Sequence, residues 1–320
     1  MGASAIACVA FWANARLGLF PPDSDPAYYV LGTRSLLAGR GLAVDVVWNF
    51  LATVPGMPQP GFELWVPGTS VVLALGQWLL GPSYPAACTI AAVFGAIATA
   101  LCIIVAKRLL DHDALALACG GLFVLNERLM LHATTPDSTV FYTAWILGAI
   151  LSLDAAIGQA PGRRRDGLLI CFGLLGAAAA LTRNDALLVV PLTVVIASAA
   201  SIRQRTTSWL SLRDAAVAGS AFALGLVPWM TRCWLVFGTP WAPASGRTPW
   251  LRDYHHLFAY PPDVTFTDYV AYVRAAPLDV VQGKARALYH LLYWTADLVT
   301  VVAVPLVMAG AYLSLRRKRI

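Results

Sequence analysis

Charge is scarce in this chain. Of its 320 residues only 12% are Asp, Glu, Lys or Arg, about half the roughly 25% typical of soluble domains. Beside 58% hydrophobic residues and a mean hydropathy of +0.66, that scarcity excludes an ordinary soluble domain and points to an integral membrane protein. Also missing are the short alternating segments of an outer-membrane barrel. The apolar runs are rich in Leu, Ala, Val and Gly, many of them near 20 residues long, so the expected class is all-α. Cysteine is present but never grouped. Cys8, Cys88, Cys102, Cys119, Cys171 and Cys233 lie singly in or beside apolar runs, without a CxxC pair or a Cys/His cluster, and read as small packing residues. A phosphate-cradling glycine loop is absent too, so no nucleotide is expected.

What charge there is carries topology. The net charge of +6 and pI near 9.1 would suggest nucleic acid on a soluble chain; here they reflect basic cytoplasmic loops, and no nucleic-acid partner is expected. Spans are predicted at about 1–20, 84–106, 114–131, 138–157, 167–181, 186–202, 214–236 and 287–313. Trp12, Asn14 and Arg16 interrupt the first run, and no A-x-A site precedes Pro21, which favours a first span over a cleaved signal peptide. Lys107–Arg108, Arg163–Arg165, Arg203 with Arg205 and Arg213, and the terminal Arg316–Arg319 fall on one side if the spans from 84 onward alternate. By the positive-inside rule that side is cytoplasmic. The short loops "HATTPD" (132–137) and "TRND" (182–185) then face outward.

The segment 66–81 decides where residues 21–63 lie. It is short for a span, and "GPSYPAA" directly after it would be a very tight turn. The preferred reading is a juxtamembrane or re-entrant helix, so the expected architecture is one integral membrane domain over 1–320. It has about eight transmembrane helices, a first external loop at 21–83 and a second at 237–286.

Two carboxylates open the first loop in "DSDPAYYVLGTR". Asp before proline makes a good helix start. An acid at a membrane–water boundary is also a candidate general base. The spacing Asp25, Tyr29, Arg34, followed by "LLAGRGL", resembles the first-loop motif of GT-C glycosyltransferases, such as protein O-mannosyltransferases and lipid A aminoarabinose transferases (glycosyltransferase family 39-like). Five further stretches resemble that family in order: "ELWVPGTSVVLALGQWLLGPSYPAA", "VAKRLLD", "TTPDSTVF", "GAAAALTRNDALLVVPL" and "LVPWMTRCWLVFGTPWAP". Together they cover roughly residues 1–245.

The resemblance implies sugar transfer from a polyprenyl-phosphate donor to a glycan, lipid or protein hydroxyl at the external face, with inversion. Asp25 matches the family's first-loop acid, the candidate base, with Tyr29 one turn on. The family often has a second acid directly after it, where this chain has Pro26, and Asp23 lies two before. Asp23 is therefore a second catalytic candidate; no metal ligand is assigned, and a divalent metal stays open. Asp137 matches the acid of an Arg-Pro-Asp-type loop in which Thr135 replaces the basic residue. Arg183 matches the basic residue of an "LTR" loop and suits a lipid phosphate.

The second long loop holds Arg247 and Arg252 as further phosphate candidates, and Trp250, Tyr254 and His255 as sugar or acceptor contacts. Aromatics at a membrane edge also act as interfacial anchors. His132 reads as a polar cap, and adjacent His255 and His256 diverge on a helix. Asp297, inside the last apolar run, is either functional or bonded to a neighbouring helix. The rival readings are a lipid-linked substrate transporter or flippase, which predicts internal repeats that the sequence lacks, and a truncated, non-catalytic member of the family.

Overall fold

The computed structural model describes residues 2–15, 21–46, 56–188, 191–193, 195, 210–252, 254–258 and 265–298. Nearly all regular structure is helical. The helices are α1 (Gly2–Ala15), α2 (Ser24–Leu37), α3 (Gly68–Leu80), α4 (Tyr84–Leu110), α5 (Asp113–Leu125), α6 (Glu127–Thr134), α7 (Ser138–Ile157), α8 (Arg163–Thr182), α9 (Leu212–Phe237), α10 (Phe266–Ala275) and α11 (Pro277–Leu298). One antiparallel ribbon, β1 (Ala43–Val44) with β2 (Gln59–Pro60), was not foreseen.

Among the described residues, α4, α7, α8 and α9 are long and apolar enough to cross a membrane. The α5–α6 pair, bent by 67°, makes a fifth if it is one broken span. The bend falls at Asn126, whose side chain caps α6 by accepting from the Leu129 N–H at 3.0 Å, so the break is a built helix restart. These five correspond to the expected spans at 84–106, 114–131, 138–157, 167–181 and 214–236. The first expected span appears as the 14-residue α1. Most of 186–202 and the end of 287–313 lie outside the described residues.

Helix directions follow from packing. Gly173 of α8 sits on the Ala218–Phe222 stretch of α9, and Gly225 of α9 on Ala177 of α8. Both positions advance together, so α8 and α9 run parallel. Phe94 of α4 packs on Phe141 of α7 with centroids 4.7 Å apart, and Arg108 pairs with Asp154 near the two C-termini, so α4 and α7 are parallel as well. One end of the bundle therefore gathers Arg108 with Asp154, Arg165 with Asp214 at 2.8 Å, and Arg213 with Asp166 at 2.7 Å.

The opposite end holds the first loop, folded against the helices. Asp23 caps α2 by accepting from the Ser24 N–H at 2.6 Å. Tyr28 Oη accepts from the Phe62 N–H at 2.6 Å. Ser70 Oγ and Thr33 Oγ1 donate to the Tyr29 carbonyl at 2.9 and 2.8 Å. Arg232 Nη2 holds the ribbon, donating to the Leu42 and Gly61 carbonyls at 2.9 Å each. Tyr28, Tyr29, Phe62 and Leu73 share one core with Phe11, Phe141 and Trp229, so the loop is part of the fold. The α3 helix has 13 residues, about 20 Å at 1.5 Å per residue, too short for a hydrocarbon core of about 30 Å. It starts with Gly68 against Leu181 and Thr182 at the end of α8 and finishes just before α4 begins. Both of its ends lie at the end of the bundle that holds the first loop. The five described cysteines are free, and Cys88 and Cys233 are buried.

Candidate active site

Four candidates from distant parts of the chain meet at this second end. Each comes from a helix terminus or the turn beside it. Asp25 and Tyr29 lie in the first two turns of α2, Asp137 is the N-cap of α7 and Arg183 the C-cap of α8. Asp25, Tyr29, Trp65, Ser138 and Arg183 line a cavity of about 270 Å3. A second cavity of about 300 Å3 adjoins it, lined by Asp23, Asp25, His132, Asp137 and Arg183 among others. Asp25 and Arg183 line both.

The two central carboxylates have opposite environments. Asp137 is 7% exposed and well supplied with donors. His132 Nδ1 lies 2.7 Å from its Oδ2, Thr139 Oγ1 donates at 2.8 Å, and the Thr139 N–H donates at 3.4 Å. Burial alone would push Asp137 up; the hydrogen bond and charge of His132, then Thr139 and the Ser138 backbone, outweigh it and bring it down to about 2. Asp25 has far less support. Ser24 Oγ stands 3.5 Å away. Burial first, then the charges of Asp137 and Asp23, push it up to about 6, with Trp65 and Ser24 opposing. Two neighbouring acids whose environments separate their proton affinities mark a division of roles. Asp137 is a fixed anion, and Asp25 is poised to take up a proton.

Asp23 is exposed and engaged as the α2 cap, but it reaches the second cavity. Tyr29 is buried, and its phenol is raised chiefly by that burial and by Asp137. Arg183 is 42% exposed at its side chain and rests against Asp185 at 3.3 Å, with its guanidinium 5.7 Å from the Tyr142 ring centroid. A solvent-exposed pair of this kind contributes about 0–1 kcal/mol, so a dianionic phosphate could displace Asp185 from it.

Asn184 ties the site together. Its Nδ2 donates to the Leu64 carbonyl at 2.9 Å and to Ser245 Oγ at 3.1 Å, and its Oδ1 accepts from Trp241 Nε1 at 3.0 Å. One side chain thus joins the end of α8, the Leu64–Val66 wall and the segment after α9. Sequence reading missed Asn184, Trp65 and the partnership of His132 with Asp137. The only signal for Asn184 was its place in the four-residue polar run "TRND".

The remaining candidates stand elsewhere. Arg34 is exposed on α2 and lines neither cavity. Arg247 lies in the turn after Ala244, also outside both. Trp250 packs on Phe266 and Tyr269, at 4.7 and 5.8 Å between centroids. Arg252 lines a separate pocket. The side chains of Tyr254, His255 and Asp297 lie outside the described residues. Among the described residues no three His, Cys, Asp or Glu side chains gather to hold a metal ion, and the donor set around Asp25 does not make a metal cage.

No protein-family model matches the chain, and neither the curated proteins nor the solved structures yield a match.

Proposed function

We propose that the chain is a polytopic membrane glycosyltransferase that moves a sugar from a polyprenyl-phosphate donor to a hydroxyl acceptor at the external face. The observation that carries this reading is the meeting of Asp25, Asp137 and Arg183 around one pair of cavities. They come from the three loops that the GT-C resemblance singled out, 112 and 46 residues apart along the chain (137 − 25 and 183 − 137). The topology supports it as well. Parallel α8 and α9 require an odd number of crossings between them, which agrees with a span at 186–202 and with eight in all. The basic ion pairs at the opposite end agree with a cytoplasmic side there.

In the proposed reaction, Asp25 removes the acceptor proton as the acceptor oxygen bonds the anomeric carbon. The bond from that carbon to the phosphate oxygen breaks, its electron pair leaves with polyprenyl phosphate, and configuration inverts. Arg183 exchanges Asp185 for the departing phosphate, held by its guanidinium fork. Asp137, kept ionised by His132 and Thr139, raises the proton affinity of Asp25 and accepts sugar hydroxyls. A pKa near 6 suits a base that works close to neutrality.

The test is transfer of labelled sugar from polyprenyl-phosphate donors in membranes, comparing the intact chain with Asp25→Asn. A loss of about 100-fold or more, at equal membrane insertion, is expected. Normal transfer by the variant would remove Asp25 as the base. No transfer by the intact chain with any donor would favour the transporter reading.

A further inference from the structure

A pocket of about 210 Å3 lies away from Asp25, between the Leu251–Arg252 turn and the α10–α11 hairpin. Its chemistry comes from Arg252, Lys284, Asp279, Tyr269 and Tyr272, and Gly283 leaves room beside Lys284. None of these residues lines either cavity around Asp25.

Aromatic rings and one backbone carbonyl hold the two cations in place. The Arg252 guanidinium lies 4.9 Å from the Tyr272 ring centroid, and its Nη2 donates to the Asp268 carbonyl at 2.9 Å. Lys284 Nζ lies 6.0 Å from the Tyr269 centroid. Contact with an aromatic face orients a cation but leaves its charge available. Among the described residues no ion pair joins Arg252 or Lys284 to a carboxylate. Two convergent positive charges with spare donors suit a phosphate, which accepts charge-assisted hydrogen bonds from both. Asp279, on the same wall, would repel a bare anion, so it calls for a hydrogen-bond donor next to the phosphate on the same ligand. The volume is below the roughly 300–1,000 Å3 of sites for larger ligands and holds a single headgroup.

We propose that this pocket binds a phosphate-bearing headgroup. Arg252 and Lys284 take the phosphate, and Asp279 accepts from a neighbouring hydroxyl or amine of the same ligand. The ligand is either a membrane lipid or a soluble phosphate ester, and the site stands whether or not the chain transfers sugar.

The experiment uses the full chain in detergent. One arm measures binding of radiolabelled sn-glycerol 3-phosphate by equilibrium dialysis, with inorganic phosphate as competitor. The other measures retention of phosphatidylglycerol against phosphatidylcholine by native mass spectrometry. Binding in either arm should weaken roughly tenfold or more in Arg252→Gln and in Lys284→Gln, at unchanged thermal unfolding midpoints. Lys284→Arg should retain it. Asp279→Asn should reduce the preference for glycerol phosphate over inorganic phosphate. Binding in the first arm assigns a soluble ester, and binding in the second alone assigns a lipid. The proposal fails if neither probe binds, if both Gln variants bind like the intact chain, or if binding is lost in Arg183→Gln instead.

Discussion

His132 Nδ1 stands 2.7 Å from Asp137 Oδ2, across the turn that joins α6 to α7. That contact commits Asp137 as an anion and leaves Asp25, in the same cavity, as the acid that exchanges a proton. It also explains why a histidine read as a cap belongs to the site. The bent α5–α6 pair delivers His132 to the N-terminus of α7.

Under the proposed reaction, the proton affinity of Asp25 makes stability and activity move in opposite directions with pH. Burial, with Asp137 and Asp23 nearby, raises it from 3.8 to about 6. A folded-state value above the unfolded one gives stability that is full below about pH 4 and lost as pH rises through about 6. Asp25→Asn should therefore raise the thermal unfolding midpoint by a few degrees at about pH 8 and hardly change it at about pH 4. If Asp25 is the proposed base, transfer by the intact chain should instead rise through pH 6, as Asp25 ionises. An equal shift of midpoint at both pH values would contradict this assignment.

Removing His132 should expose the opposite case. Asp137 is held at about 2, below 3.8, so its stabilising contribution is present above about pH 4 and is lost as pH falls toward 2. His132→Ala leaves a buried carboxylate short of a donor, at a cost of about 1–3 kcal/mol. Its acid unfolding should begin at higher pH than that of the intact chain. Unfolding followed by circular dichroism between about pH 2 and pH 5 decides this, and coincident acid transitions would show that His132 does not hold Asp137.

At the basic end, Arg165 and Asp214 are buried together, 1% and 3% exposed and 2.8 Å apart. Asp214 Oδ2 also accepts from the Ser211 N–H at 2.8 Å. Arg165→Met or Asp214→Leu alone leaves an unpaired buried charge and should cost about 3–5 kcal/mol. The double variant should recover most of the loss from the ion pair, less about 1 kcal/mol for the lost α9 cap. A double-mutant cycle on unfolding midpoints measures this, and additive losses would refute the coupling.

Gly68 brings the start of α3 against the end of α8. A Cβ there would lie 2.4 Å from the Leu181 carbonyl oxygen, which is backbone and cannot swing away. Gly68→Ala should push α3 off the end of α8, widen the wall carrying Trp65, and lower both the unfolding midpoint and transfer. Gly219, with nothing within 4 Å of such a Cβ, is the control site for Ala. Equal midpoints for the two variants would show that the contact relaxes at little cost.

Much of the helical scaffold could be read from the chain because hydrophobicity and length are local properties. The runs at 84–106, 138–157 and 214–236 became α4, α7 and α9 with their ends moved by only a few residues. Proline and aspartate marked the start of α2, since a cap needs only its own turn. Asp25, Tyr29, Asp137 and Arg183 could be named from the order of motifs along the chain. Arg252 and Trp250 could not be placed, because a long loop with several aromatics does not say which cavity each side chain will line.

Composition and the length of the apolar runs, then, determined that this is a helical chain built for an apolar environment, with its basic clusters beside the ends of those runs. Those conclusions depend on side-chain chemistry summed over neighbours in sequence. Only the tertiary structure decided that α3 keeps both of its ends on one side, that Asn184 joins three distant segments, and that Asp25 and Asp137 differ in proton affinity. A carboxylate's ionisation is set by the donors, charges and burial around it, and these are supplied by α6, α7 and the Trp65 wall, from elsewhere in the chain.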